Sequence, residues 1–174
     1  MSLLTFCKRV LKLRKGDIKG RKMANVFDAT KYILKKQGPI TTMKLQKLVY
    51  YGQAWSAVWD EKPLFGEQIQ AWACGPVVRD LYDEHKGMFL ISDLGKGSIN
   101  NLKPEEIETI DAVLEAYGSK PAQWLSDLTH MEAPWNEARK GIPAGQNCEN
   151  EITLSSLEEY YGSMSEDSED SEPV

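Results

Sequence analysis

The feature that most constrains the fold is a long helical stripe in the first half of the chain. Apolar and aromatic side chains recur there at intervals of three or four positions, together with one glycine: Leu45, Leu48, Gly52, Trp55 and Trp59. This spacing places them on one face of an α-helix that begins at Thr41 or Thr42. A glycine within the stripe predicts that the backbone of another element approaches the helix closely.

Similar patterns predict helices on both sides of this one. The first begins at Asn25, a residue type that caps helix N-termini, and ends near Gln37 before a Gly-Pro pair. A third helix is predicted to open at Gly75-Pro76, with the proline near its first turn. Later helices are predicted over 104–117, from about 119, over 134–140 and near 154–161.

A change of period marks a strand before the third helix. Ile69, Ala71 and Ala73 alternate with Gln68, Gln70 and Trp72, which is typical of a short β-strand. The fold class predicted is therefore mainly α: a single compact domain of about six helices, with a small β-hairpin or strand pair inserted before the Gly75-Pro76 helix.

Charge divides the 174 residues into three parts, although the whole chain carries a net charge of only −5. Residues 1–22 hold eight basic side chains and one acid, and residues 163–174 hold five acids and no base. We expect a basic N-terminal extension (1–22), a folded domain (23–162) and an acidic, disordered tail (163–174). The extension also has the pattern of a basic amphipathic helix, which suits an anionic membrane or a nucleic acid.

Few residues suggest catalysis. The sequence has no phosphate-binding loop and no nucleophile or zinc-protease motif. His130 and Glu132 could polarise a water molecule, or His130 could instead bond to the backbone of the turn at Pro134. The three cysteines, Cys7, Cys74 and Cys148, are widely spaced and are predicted to be free thiols in a reducing cytoplasm. We predict a protein that is not an enzyme and uses no metal or cofactor.

Aromatic residues outside the main stripe predict a surface for another protein. Trp72 and Arg79 lie beside a predicted sheet edge, where unpaired backbone groups could accept a partner's strand. Lys47 and Tyr51 lie on the long helix, off its apolar stripe. These four residues are the predicted partner-binding site, because exposed aromatic and arginine side chains dominate interface energies. The alternative for Trp72 is a place in the core.

Five short segments of the sequence resemble a known family. They are MKLQKLVYYGQAW (43–55) followed by PLF (63–65), IQAWACGPVV (69–78), and LTH with PW (128–135). In this order, across residues 26–140, they resemble the Panacea domain of SocA-like antitoxins, which is also met in phage-associated GepA-type proteins. The resemblance implies a mainly helical fold with an inserted hairpin. It implies no catalytic residue.

The resemblance also implies a function. Members of the family resemble antitoxins that are encoded beside a toxin gene, often in prophages, and that neutralise the toxin by direct contact. We therefore predict a cytoplasmic antitoxin whose partner is the toxin of a neighbouring gene, with no small-molecule substrate and no membrane. Nucleic acid would be bound, if at all, through the basic extension. The alternative function is an adaptor or regulator that delivers a client to a protease or to a replication or transcription complex.

Overall fold

The computed structural model describes residues 22–166, so the extension, apart from Lys22, and the end of the acidic tail lie outside the described residues. Seven α-helices and two small antiparallel sheets follow one another in this part of the chain. In order, the elements are α1 (Val26–Gln37), β1 (Ile40–Thr41), α2 (Thr42–Trp59), β2 (Ile69–Trp72), β3 (Gly75–Val78), α3 (Arg79–His85), β4 (Leu90–Ile91), a 3-10 turn (Ile99–Asn101), α4 (Pro104–Tyr117), α5 (Ala122–Met131), α6 (Ala133–Ala138) and α7 (Leu154–Glu166).

Helix α2 is the centre of the molecule. It packs against α1, α4, α5, α7 and β3, so almost every face of it is covered. The predicted stripe is confirmed, since its leucines and tryptophans are all buried. The prediction for Gly52 is wrong in its detail: a Cβ atom there would meet the Leu64 side chain at 3.2 Å, and no other backbone lies that close.

The predicted first and fourth helices are confirmed by α1 and α4. Asn25 caps α1 by accepting bonds from the backbone N–H groups of Phe27 and Asp28, and the Asp28 carboxylate accepts from the Asn25 N–H. This reciprocal pair of bonds satisfies donors that the first turn of a helix leaves free. Helix α7 begins at the predicted position but runs to Glu166, beyond the predicted end near Tyr161 and beyond the expected domain limit at 162.

The inserted strand pair is confirmed, but its second strand is the segment predicted to open a helix. Gly75–Val78 forms β3, which pairs with β2 in the register Trp72↔Gly75 and Ile69↔Val78, and helix α3 begins only at Arg79. Gly75 turns the chain at φ +105°, a conformation that favours glycine. Pro76 fits a strand here because its nitrogen faces away from β2, so the ladder loses no hydrogen bond.

Candidate partner-binding surface

Side chains from α2 hold the outer edge of β3. The Gln46 amide spans the backbone of Val78, accepting from its N–H at 2.9 Å and donating to its carbonyl at 3.3 Å. One residue further along the helix, the Lys47 ammonium donates to the Pro76 carbonyl at 3.1 Å. The backbone groups that a partner's strand would need on this side are therefore already bonded.

The outer edge of β2 is covered as well. The Ala71 N–H donates to the carbonyl of Asn150, the Ile152 N–H donates to the carbonyl of Ile69, and Arg139 donates to the Ala71 carbonyl at 2.8 Å. The predicted open sheet edge beside Trp72 is thus wrong: α2 closes one side of the hairpin, and residues 150–152 with Arg139 close the other. Sequence spacing could not show this, because the covering residues lie far away along the chain.

Lys47 lies inside the protein with 1% of its surface exposed. Its stem passes so close to Gly75 that a Cβ atom there would sit 2.7 Å from Lys47 Cε and 2.9 Å from the Thr129 hydroxyl. Loss of water around the ammonium lowers the pKa of Lys47 to about 8, because burial disfavours the charged form. Lys47 therefore serves to fix the hairpin on α2 and does not reach the surface.

Tyr51 is also buried, in a cluster of aromatic rings around one carboxyl group. Its ring stacks on Tyr117 with 4.2 Å between centroids, and its hydroxyl donates to Glu132 at 3.1 Å. Tyr161 of α7 donates to the same carboxylate oxygen at 2.6 Å. Burial raises the pKa of Glu132 to about 7, although both hydroxyl donors act in the opposite direction. The cluster joins α2, α7 and the start of α6.

His130 does not pair with Glu132. Its ring stacks on Trp135 with 4.2 Å between centroids, and its Nε2 atom is buried without a hydrogen-bond partner among the described residues. Glu132 instead faces the two tyrosines. The predicted bond from His130 to the backbone of the turn at Pro134 is also absent among the described residues. The other histidine, His85, is buried and bonds to Gln46 at 2.9 Å, as expected for a core histidine.

Trp72 and Arg79 do meet at the surface. The half-buried Trp72 ring packs edge-on against Tyr82 at 4.6 Å, and the guanidinium of Arg79 lies 5.8 Å from its centre. Arg79 also contacts Asp83 at 3.1 Å and Glu149 at 3.3 Å. We call these five residues, Trp72, Arg79, Tyr82, Asp83 and Glu149, the hairpin face.

Of the four predicted partner-binding residues, two therefore lie together on the hairpin face and two lie in the interior. The other three members of the hairpin face, Tyr82, Asp83 and Glu149, were not predicted from the sequence. Tyr82 and Asp83 follow Arg79 at helical spacing, which could have indicated them. Glu149 is separated from Arg79 by 70 positions, and no local pattern connects the two.

Other kinds of site are poorly represented in residues 22–166. No group of three or more potential metal ligands occurs in this range. Cys74 at the hairpin turn is exposed and Cys148 is buried; both are free thiols, as predicted. None of the helices described has the length and apolar character needed to cross a membrane.

Comparison with known families identifies the domain. The model of the SocA-like antitoxin family, Panacea domain, matches residues 45–136. The chain belongs to this family. The matched segment starts within α2 and ends within α6. It therefore includes the β2–β3 hairpin and the two α2 side chains that hold it, Gln46 and Lys47. Membership indicates an antitoxin-like, non-enzymatic role. No curated protein and no solved structure matches the chain.

Proposed function

We propose that this Panacea domain protein is an antitoxin that neutralises a protein toxin by binding it directly through the hairpin face. The observation that carries the proposal is the match to the antitoxin family over residues 45–136, which contain four of the five residues of this face; Glu149 lies beyond the matched segment. Neutralisation of this kind requires a tight interface and no chemistry, which fits the sparse catalytic inventory of the described residues.

The hairpin face has the composition of an interface centre. It presents two aromatic rings and an arginine, the side chains that contribute most to binding energy in protein complexes. Its ion pairs are exposed, with 42% of the Arg79 side chain and 71% of the Glu149 side chain accessible. Exposed pairs contribute little to folding stability, so they can exchange partners readily on binding.

Charge supports a basic toxin as the partner. Residues 23–162 hold 13 basic and 20 acidic side chains, a net charge of −7. A toxin that acts on RNA or ribosomes is expected to be basic, and opposite charges accelerate association. We place the pair in the cytoplasm and the gene beside that of its toxin, in a prophage. Residues 23–162 are the part that we expect to bind.

Coexpression with the product of the neighbouring gene tests the proposal. We expect rescue of growth and a stoichiometric complex on copurification. Trp72→Ala should lower toxin affinity by about 30-fold, roughly 2 kcal/mol, because a central interface aromatic is lost. Its melting temperature should fall only modestly, because the half-buried ring packs on Tyr82 and is not part of the hydrophobic core.

Trp124→Ala is the matched control, because Trp124 is 42% exposed and lies outside the hairpin face. It should bind toxin as the wild type does. Rescue by a variant that no longer binds toxin would overturn neutralisation by contact. Unaltered toxin affinity in folded Trp72→Ala would overturn the hairpin face as the binding surface while leaving the antitoxin role intact.

A further inference from the structure

An exposed apolar patch surrounds the short sheet formed by β1 and β4. Phe89 is 80% exposed, Leu90 57%, Met88 50% and Met43 37%. These residues are neighbours in space, because Thr42 N–H donates to the Phe89 carbonyl and Thr41 pairs with Leu90. We call the four residues the β4 patch. It contains half of the large exposed apolar side chains of residues 22–166 and shares no residue with the hairpin face.

The backbone of β4 is also unpaired on its outer side. In an antiparallel ladder, bonded and non-bonded residue pairs alternate. Thr42 and Phe89 are bonded to each other, so the next pair, Thr41 and Leu90, is of the non-bonded type. The N–H and carbonyl of Leu90 therefore face away from β1, and no other residue between 22 and 166 hydrogen-bonds to them. An exposed edge with large apolar side chains is a site for strand addition.

Charges at the two ends of the patch indicate which partner fits. Lys86 precedes the patch and has no ion-pair partner among the described residues, whereas Asp93 follows it and carries an exposed carboxylate bonded to Lys31. One end therefore offers an ammonium without an ion-pair partner, and the other offers a carboxylate in an exposed ion pair, which contributes little to stability and can exchange its partner. A surface of this kind is complementary to itself, because a two-fold axis through its centre brings each end against the opposite end of the second copy.

We propose that the β4 patch is a homodimer interface, in which β4 pairs antiparallel with β4 of a second copy of this chain around a two-fold axis near Leu90. The outward N–H and carbonyl of Leu90 then bond across the axis, and the two small sheets join into one of four strands. Met88, Phe89 and Leu90 are covered, and Lys86 approaches Asp93 of the partner subunit. This proposal does not depend on the antitoxin function.

Sedimentation equilibrium of the full chain without any toxin tests the interface. A patch of this size predicts a weak dimer, so the wild type should be largely dimeric at about 100 µM. Phe89→Ser with Leu90→Ser should raise the dissociation constant at least ten-fold without lowering the melting temperature, because both side chains are exposed. Met131→Ser is the control, since Met131 is 73% exposed at the end of α5 and should leave the dimer intact.

A charge exchange separates self-association from any other occupant. Lys86→Asp gives a patch with two acidic ends, and Asp93→Lys gives one with two basic ends. Each variant alone should dimerise more weakly than the wild type, but their equimolar mixture should form a mixed dimer. Melting curves verify that both remain folded. A wild type that is monomeric at this concentration, or folded variants whose mixture does not associate better than either alone, would overturn the proposal.

Discussion

The carboxyl group of Glu132 is the clearest case of a single residue whose surroundings oppose its usual ionisation. It is 4% exposed, and burial raises its pKa to about 7, because an ionised carboxylate loses its water there. The hydroxyls of Tyr51 and Tyr161 compensate only in part. The same burial raises the pKa of both tyrosines far above the ordinary value, so they stay protonated and keep donating.

Replacing this carboxyl group by an amide should change how stability depends on pH. The folded pKa of Glu132 lies above its unfolded value, so its stabilising contribution is complete below about pH 4.5 and is lost as the pH rises through about 7. Glu132→Gln keeps an oxygen acceptor for both tyrosines and does not ionise. Between pH 4.5 and 7.5, the wild type should therefore lose about 3 kcal/mol of unfolding free energy relative to the variant.

Urea unfolding of both proteins at several pH values measures this difference. Glu137→Gln is the control, because Glu137 is exposed on α6, and its profile should follow that of the wild type. If the unfolding free energies of Glu132→Gln and the wild type change in parallel between pH 4.5 and 7.5, burial does not hold the proton on Glu132.

At the scale of elements, the junction between α2 and the hairpin depends on the absence of a side chain at Gly75. An alanine there meets two obstacles, since the backbone has φ +105° and Lys47 and Thr129 occupy the space of a Cβ atom. Gly87 has a similar conformation, φ +86°, but nothing lies within 4 Å of its Cβ position. Comparing alanine substitutions at the two glycines therefore separates the energetic cost of backbone strain from the cost of crowding.

We expect Gly87→Ala to cost about 1 kcal/mol of unfolding free energy, from strain alone. Gly75→Ala should cost about 1–3 kcal/mol more, because the amine of Lys47 must move from its bond to Pro76. Thermal or urea unfolding of both variants gives the comparison. Equal losses for the two variants would show that Lys47 does not pack tightly under the hairpin.

The helices could be predicted from the sequence to a larger extent than the binding surface. Periodic apolar residues marked α1, α2 and α4, because each buries a regular face. The pattern could not show that α2 is covered on nearly every side, so Lys47 and Tyr51, which lie off the stripe, were predicted at the surface. In the structure, hydrogen bonds to Pro76 and Glu132 allow these polar groups to be buried.

The strand β3 was missed for a related reason. A Gly-Pro pair before a periodic segment is typical of a helix start, and nothing local distinguishes it from a turn into a strand. The deciding interactions come from Gln46 and Lys47, about 30 positions earlier, which bond to the backbone of β3. Contacts at this separation leave no local signal in one sequence.

At the scale of the whole molecule, the folded unit is expected to be independent of the basic extension. Among the described residues, which start at Lys22, the first buried side chains are Ala24 and Val26, and the bonds that cap α1 involve Asn25. A chain that starts at Met23 should therefore melt within about 2 °C of the full chain, a difference well below 1 kcal/mol. Differential scanning calorimetry of the two proteins is the measurement. A decrease of several degrees would mean that residues 1–22 pack on the domain.

The way in which the hairpin is attached has a consequence for variation. The hairpin is held by hydrogen bonds to its main chain, at the carbonyls or amides of residues 71, 72, 76 and 78, and not through its outward side chains. The bonds come from the side chains of Gln46, Lys47, Arg139 and Trp135. Outward residues such as Trp72 can therefore be exchanged without breaking the hydrogen bonds that attach the hairpin to the domain. Such a scaffold can present a changing repertoire of contact residues at a constant position, as antibody frameworks do for their loops.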